Sequence, residues 1–293
     1  MIPRPRRSWL FVPGADAAAH EAAARSGADV LIQELEDFTP PERRPEARAR
    51  AAVLYDLWRK AGKIAAVRVN PLETCGREDL AAVLKGRPDI VLMSKVASPE
   101  QVKVLASLTT TEELVPNVET AAGLIRSYEI AKAHPRVVAM LVASEDMVAD
   151  LGTSRSRGGE ELAYVRARFL VECRAAGVEA IDCPYTFSDV GGAVKDAKYA
   201  RRLGYRMKSL VATGHAIAIN KVFSASASEL QQARRIVDAF ERSRKLGKER
   251  ARVGGKLVEV PIYAAAKRLL QEHAQSAGAS AVHTPPPTRK KSR

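Results

Sequence analysis

The 293-residue sequence is poor in aromatic residues, with Phe, Trp and Tyr together at 5%. So sparse a supply argues against the stacking platforms that hold single-stranded nucleic acid. Cysteine is scarce as well: Cys75, Cys173 and Cys183 are an odd number without metal-site spacing. That usage fits free, packed thiols in a reducing cytoplasm better than a disulfide framework. No stretch approaches the roughly 20 apolar residues that a membrane helix needs, so the chain is expected not to enter a bilayer. The apolar run behind Arg4, Arg6 and Arg7 is cut by Pro13 and Gly14, too early for a secretory leader, and reads as a first strand. A Walker phosphate loop, a Gly-x-Gly-x-x-Gly after the first strand and a Gly-x-Ser-x-Gly elbow are all missing. The signatures of nucleotide hydrolysis, dinucleotide binding and serine hydrolysis are missing with them.

What is present is a 46% hydrophobic content, enough for a large core, arranged in a rhythm. Short runs rich in Val, Ile and Leu at 9–12, 30–35, 64–69, 90–95, 114–118, 137–143, 178–183 and 207–212 alternate with longer amphipathic stretches. The latter lie at 15–26, 45–61, 77–84, 99–108, 121–133, 160–176, 190–203 and 228–246. Parallel strands covered by helices produce this pattern. Gly27, Gly62, Gly177 and Gly204 stand where a left-handed helix exit is expected. Eight such units predict an α/β fold, a (β/α)8 TIM barrel over residues 1–246 with a C-terminal helical extension at 247–275. An open doubly wound sheet is the alternative. Residues 276–293, small, proline-rich and basic, read as a disordered tail. The net charge of +13 is concentrated at this end: residues 242–293 carry 13 Lys and Arg against three Glu. Such an end suits a solvated helix and tail, or contact with an anionic partner.

In a barrel the chemistry sits at the C-terminal ends of the strands, and here those ends are charged. Strand two ends in Glu34, Glu36 and Asp37, strand three in Arg68 and Asn70, strand four in Lys95, strand five in Glu119, strand six in Glu145 and Asp146, and strand seven in Asp182. Glu119 and Asp146 end adjacent strands and could together hold Mg²⁺, which takes oxygen ligands and keeps positions open for water and substrate. Alone, each is equally a helix-start residue. The Arg68 fork suits bidentate recognition of a carboxylate, or else a salt bridge to Glu36 or Asp37. Lys95 offers either a Schiff-base amine or an ion pair or phosphate contact, and Lys208 is a second candidate for a substrate phosphate. His215 reads as a surface or helix-start residue in preference to a displaced functional one.

Taken in order over residues 7 to 240, Ser8-Trp-Leu-Phe-Val-Pro-Gly14, Leu35-Glu-Asp37, Val67-Arg-Val-Asn70, Val118-Glu-Thr-Ala121 and Glu145-Asp-Met-Val-Ala-Asp-Leu-Gly152 form a combination. It resembles the citrate lyase beta-subunit-like family, Mg²⁺-dependent acyl-CoA lyases of the phosphoenolpyruvate/pyruvate barrel superfamily. The resemblance implies metal on Glu119 and Asp146 and substrate contacts from Arg68 and Glu119. It also implies a homo-oligomer, often a trimer, and substrates such as citryl-, malyl- or citramalyl-CoA. The sequence departs from the family at Glu34, where Asp is usual, and at Ala143, where Gly is usual. It departs further at Met207-Lys208 followed by Ala212-Thr-Gly-His215, where Gly-Lys and His-Pro-x-Gln are usual. It reads as lacking the longer C-terminal lid of some relatives, which leaves the general base unassigned. The function expected is retro-aldol cleavage, or its reverse, with Arg68, Glu36 and Asp37 as catalytic residues. Substrate would be bound by Arg68, Glu119, Lys95 and Lys208. A metal-dependent aldolase acting on free 2-oxo acids and a non-catalytic barrel subunit are the rivals.

Overall fold

The computed structural model describes residues 5–247 and 250–281, with side chains described through residue 274. Strands β1 (Ser8–Pro13), β2 (Val30–Glu34), β3 (Ile64–Val69), β4 (Ile90–Met93), β5 (Glu113–Val118), β6 (Ala139–Val142), β7 (Glu179–Asp182) and β8 (Met207–Leu210) are all parallel and pair in chain order. The barrel closes where Ser8 of β1 meets Lys208 of β8. The open-sheet alternative is thereby excluded.

Helices α1 (Ala17–Arg25), α2 (Arg44–Lys60), α3 (Gly76–Val83) and α4 (Pro99–Leu108) follow the first four strands. The stretch 121–133, expected as one helix, is two: α5 (Ala121–Ile125) and α6 (Ser127–Lys132), broken at Arg126 with φ −106° and ψ 11°. Next come α7 (Glu145–Asp150), α8 (Ala163–Ala176), α9 (Val190–Leu203) and α10 (Ala216–Phe223). Helix starts follow local chemistry. Asp16 caps α1 through the Ala19 N–H, and Ser98 with Gln101 forms a capping box ahead of Pro99 at the start of α4. Of the expected helix-exit glycines, Gly62, Gly177 and Gly204 have positive φ but Gly27 does not. Gly27 instead leaves room for Ile217, whose Cγ1 lies 2.6 Å from where a Cβ would stand.

The strands divide their side chains into two sets because successive residues point to opposite faces. Leu10, Leu31, Val67, Val91 and Met140 face the helices, while Trp9, Phe11, Ile32, Ala66, Leu92 and Leu141 fill the barrel interior. The interior is therefore a packed plug.

The compact barrel unit ends at Phe223, short of the expected 246. The residue of difference is helix α11 (Ala227–Lys245), whose amphipathic pattern resembles a barrel helix; the shorter α10 is the helix that follows β8. A separate unit begins at Ser224. In it, Ser226 and Glu229 form a capping box on α11, and β9 (Ala251–Val253) pairs antiparallel with β10 (Lys256–Val258). Gly254 and Gly255, at φ 56° and 79°, make the two-residue turn that joins them. Helix α12 (Val260–Ala281) stacks Tyr263 on Phe240 of α11 at 4.4 Å between ring centroids. Residues 276–281, expected as part of a disordered tail, belong to α12; the remainder of that tail lies outside the described residues. No helix among the described residues is long and apolar enough to cross a membrane.

Candidate active site

Following the interior set of each strand toward its C-terminal end gives the floor of a site. After Ile32 comes Glu34, after Ala66 comes Arg68, and after Val115 come Asn117 and then Glu119, every one buried. The same periodicity that builds the plug thus caps it with polar groups at the barrel mouth.

Arg68 is the centre of this layer. Its Nε donates to Glu34 Oε1 at 2.9 Å, while Nη2 lies 3.2 Å from Glu36 Oε2 and 3.7 Å from Asp37 Oδ2. Nη1 lies 3.5 Å from Glu119 Oε1, and the guanidinium covers the Phe11 ring at 4.7 Å. Burial alone would lower its pKa, but Glu34, Glu36, Glu119 and Asp37 more than offset that and raise it. The fork is fixed in place and permanently charged. The salt bridges expected to Glu36 and Asp37 are both made, through Nη2.

Glu34 is the residue that sequence reasoning did not assign to the site. Besides Arg68, its carboxylate accepts from the Glu36 and Phe38 backbone N–H groups, each at 2.6 Å. These bonds turn the chain after β2 so that the Glu36 and Asp37 side chains come back toward Arg68. Burial raises the Glu34 pKa, opposed by Arg68 and the two N–H groups. The signal for it was available in the alternation: Glu34 follows Ile32 by two residues, as Arg68 follows Ala66. Arg44 holds the same loop from the far side, through the Thr39 and Glu36 carbonyl oxygens, both at 3.3 Å.

Lys95 lies at the mouth with its ammonium 2.8 Å from Glu36 Oε1 and 44% of its side chain exposed. The hydrogen bond to Glu36 raises its pKa, so the resting state is an ion pair and not the neutral amine that Schiff-base chemistry requires. Glu119 is fully buried. Its Oε1 accepts from the Asn117 amide, whereas its Oε2 has no hydrogen-bond partner. Burial pushes its pKa up to about 8; Arg68 opposes the shift, and Glu36 and Asp146 add to it as like charges. Asp146, in the first turn of α7, is half-buried, and among the described residues its side chain makes no hydrogen bond or ion pair. Its neighbour Glu145 points elsewhere and accepts from Thr186 Oγ1 at 2.7 Å.

Four carboxylates (Glu34, Glu36, Asp37 and Glu119) therefore gather around two cations, Arg68 and Lys95, and Asp146 acts on Glu119 as a like charge. An unpartnered buried oxygen on Glu119, felt by an unpartnered Asp146, is an arrangement that a divalent cation completes. Among the described residues no group of three or more His, Cys, Asp or Glu is arranged to hold a metal. Two carboxylates suit Mg²⁺ nonetheless, because it commonly takes one or two and keeps water or substrate oxygens for the rest.

Lys208 is not at the mouth, which corrects its expected role as a substrate contact. Met207 takes the interior position of β8, so Lys208 points the other way, into the layer between barrel and helices. There its Nζ, with no exposed surface, lies 2.5 Å from Asp182 Oδ2 and 2.6 Å from Asp196 Oδ2, and also donates to the Cys183 carbonyl oxygen. Arg166 completes the cluster, with Nη2 2.7 Å from Asp182 and Nη1 2.7 Å from Asp196. Asp182, a charged strand end, is likewise committed to this cluster. His215 does stand at a helix start, in the turn before α10, but it is buried and not on the surface, with Nε2 3.1 Å from the Ser188 carbonyl oxygen. The three cysteines are free, Cys173 and Cys183 buried and Cys75 half-buried.

Residues 7–213 match the model of the HpcH/HpaI aldolase/citrate lyase family. The chain is 31% identical over 282 residues to the citrate lyase subunit beta of Escherichia coli, covering 91% of this chain and 93% of that one. It is 34% identical over 258 residues to a (3S)-malyl-CoA thioesterase of Cereibacter sphaeroides, covering 87% and 90%. Among solved structures it is similar to the protein CitE of Mycobacterium tuberculosis in complex with magnesium, acetoacetate and coenzyme A. That similarity has a TM-score of 0.74 at 26% identity and covers 94% of this chain and 100% of the other.

Proposed function

Because the chain belongs to the HpcH/HpaI aldolase/citrate lyase family, and a similar solved protein, CitE of Mycobacterium tuberculosis, was found in complex with magnesium and coenzyme A, we propose that this carbon–carbon lyase acts on a 3-hydroxy-3-carboxyacyl-CoA. Citryl-, malyl- or citramalyl-CoA is the kind of substrate meant, cleaved by a retro-aldol reaction or formed by its reverse. The observation that carries this reading is the Arg68 guanidinium fixed between Glu34 and Glu36, with its Nη1 3.5 Å from a Glu119 whose other oxygen is unpartnered.

Glu119 and Asp146 would hold Mg²⁺, which supplies Lewis-acid polarisation of substrate oxygens when bound. Arg68 receives the substrate carboxylate and balances the negative charge that develops as the bond breaks, as a preorganised donor at no reorganisation cost. Glu36 and Asp37, turned back by Glu34, set the orientation of Arg68 and of water beside it. Phe11 closes the underside of the guanidinium and keeps water from it. Burial of Lys208 removes one of the two cations that the sequence offered for CoA phosphates, so free 2-oxo acids are the rival substrates. A homo-oligomer is part of the same proposal.

The test incubates the protein and Mg²⁺ with malyl-, citramalyl- and citryl-CoA and, separately, with free 4-hydroxy-2-oxo acids. Release of a keto or aldehyde acid and of free thiol is followed in each case. Thioester-dependent formation of the acid product, abolished by chelator, is expected. Turnover of the free acids alone refutes the CoA assignment, and thiol release without carbon–carbon cleavage refutes the retro-aldol reaction for these thioesters.

A further inference from the structure

Asn117 stands where the apolar plug gives way to the charged layer above it. It follows Val115 on the interior side of β5, lies opposite Leu141 of β6, and has no exposed surface. An amide in that position is costly, because it exchanges water for a setting that offers its donor and acceptor few partners. Ser94, just beyond β4, meets the same difficulty by donating its hydroxyl to the Val69 carbonyl oxygen at 3.2 Å. Asn117 does otherwise. Its Nδ2 donates to Glu119 Oε1, two residues on, and its Oδ1 has no hydrogen-bond partner. The amide has to stand this way round, since its oxygen, an acceptor, would repel the carboxylate. A buried polar group left half satisfied calls for an explanation, and the one bond that its side chain makes supplies it.

Glu119 is buried as completely as Asn117. Arg68 Nη1 lies 3.5 Å from its Oε1, too far for a good hydrogen bond, and the Lys95 backbone N–H is close enough to act on the carboxylate. Among the described residues, the Asn117 amide is the side chain that makes an aligned hydrogen bond to Glu119, and it takes the same oxygen that Arg68 approaches. With Oε1 claimed, Oε2 is left bare. Without the amide, attraction to the guanidinium is the strongest force on the carboxylate, and it would draw the group onto the Arg68 fork.

We propose that Asn117 is a positioning residue: its amide holds Oε1 of Glu119 and so keeps Oε2 available to magnesium. The proposal rests on the reading of Glu119 as a magnesium holder.

The test titrates the full-length protein with Mg²⁺ alone, by calorimetry, so that no substrate is needed. Asn117→Leu keeps the forked shape of the side chain and removes donor and acceptor together; Asn117→Ala, which adds no bulk, serves if the Leu variant does not fold. Either is expected to weaken Mg²⁺ binding about tenfold or more, the usual cost of losing an outer partner of a ligating carboxylate. A crystal structure of the metal-free variant should show the Glu119 carboxylate turned onto Arg68. Leu141→Ala opens a cavity in the same layer and removes no hydrogen bond of Glu119. It should lower the unfolding temperature while leaving the Mg²⁺ affinity within about twofold of wild type, since no outer partner of the carboxylate is lost. Glu119→Gln gives the loss expected when the ligand itself is removed. If that change weakens Mg²⁺ binding and the Asn117 variants bind as wild type does, Asn117 merely eases the burial of Glu119 and the proposal is overturned. Equal losses from Leu141→Ala and Asn117→Leu overturn it too, because the effect is then a general loosening of the plug. If Glu119→Gln leaves Mg²⁺ binding unchanged, the magnesium reading of Glu119 fails first, and the proposal falls with it.

Discussion

Replacing Lys208 by Met shortens the side chain by one atom, deletes the charge, and separates a structural lysine from a substrate-binding one. In the native barrel two cations, Arg166 and Lys208, balance two carboxylates, Asp182 and Asp196, out of contact with water. After the substitution both acids rely on Arg166, one buried negative charge is uncompensated, and the Cys183 carbonyl oxygen loses its donor. Breaking a buried ion pair from one side costs about 3–5 kcal/mol, and since Arg166 keeps bonds to both acids, the lower end, about 3 kcal/mol, applies. For a unit of this size each kcal/mol moves the midpoint by about 2–4 °C, so a fall of roughly 6–12 °C is expected. The pH dependence has a definite sign. Burial raises the Asp196 pKa, but Lys208 and Arg166 more than offset it and hold it below the usual carboxylate value. Removing Lys208 lets that pKa rise, so the deficit is largest at neutral pH and shrinks as acid protonates the cluster. Thermal unfolding monitored by circular dichroism at pH 7 and pH 5, with kinetics measured below the transition, reads both quantities. A midpoint within about 2 °C of wild type, together with a several-fold higher KM for a CoA thioester, would refute the burial argument and restore Lys208 as a phosphate contact.

Arg68→Lys keeps a charge and loses the fork, so kcat should fall by about 10² or more; steady-state kinetics near wild type would make the residue structural. Asp146→Ala removes a half-buried, unpartnered carboxylate and should leave the unfolding midpoint in place while abolishing Mg²⁺-dependent turnover and weakening Mg²⁺ binding by calorimetry. Unchanged binding would move the metal elsewhere. For Glu161, burial favours the neutral acid, but hydrogen bonds from the Ser156 hydroxyl and N–H and from Arg155 more than offset it and hold the pKa at about 2. Its contribution is thus complete above the ordinary Glu value and is lost as pH falls toward 2. Amide protection over residues 153–160, taken relative to the intrinsic exchange rate at each pH, should therefore fall in acid, and at pH 7 in Glu161→Gln; equal protection in the variant at pH 7 counts against the assignment.

The barrel was legible because its strands are buried on both faces and so read as continuous apolar runs, each followed by a helix with a recognisable start. Where the reading failed, a local pattern was ambiguous. Helix α10 is eight residues long and nearly all apolar, too short to show a helical period. Helix α11, long and amphipathic, took its place in the reading. At the site, Arg68, Glu36, Asp37, Lys95 and Glu119 could be picked out as charged strand ends, and the structure gathers them, with Asp146 felt electrostatically by Glu119. Lys208 shared that description and points elsewhere, because being charged at a strand end does not say which side of the strand a residue is on. Counting in twos from Met207 would have placed it correctly, and counting from Ile32 would have added Glu34.

The two-residue alternation also governs how such a chain can change over time. Exchanging one residue for another at the mouth alters the ligand-facing surface and leaves the helix-facing set, one position away on the same strand, intact. Acid preference can therefore drift while the barrel persists. Inserting or deleting a single residue inside β2 or β3 is a different kind of event. It would swing Glu34 or Arg68 into the helix layer and bring Leu35 or Val67 to the opening, erasing the site and burying a bare charge in one step. Lineages built on this barrel should accordingly tolerate length variation in their loops and almost none in these two strands.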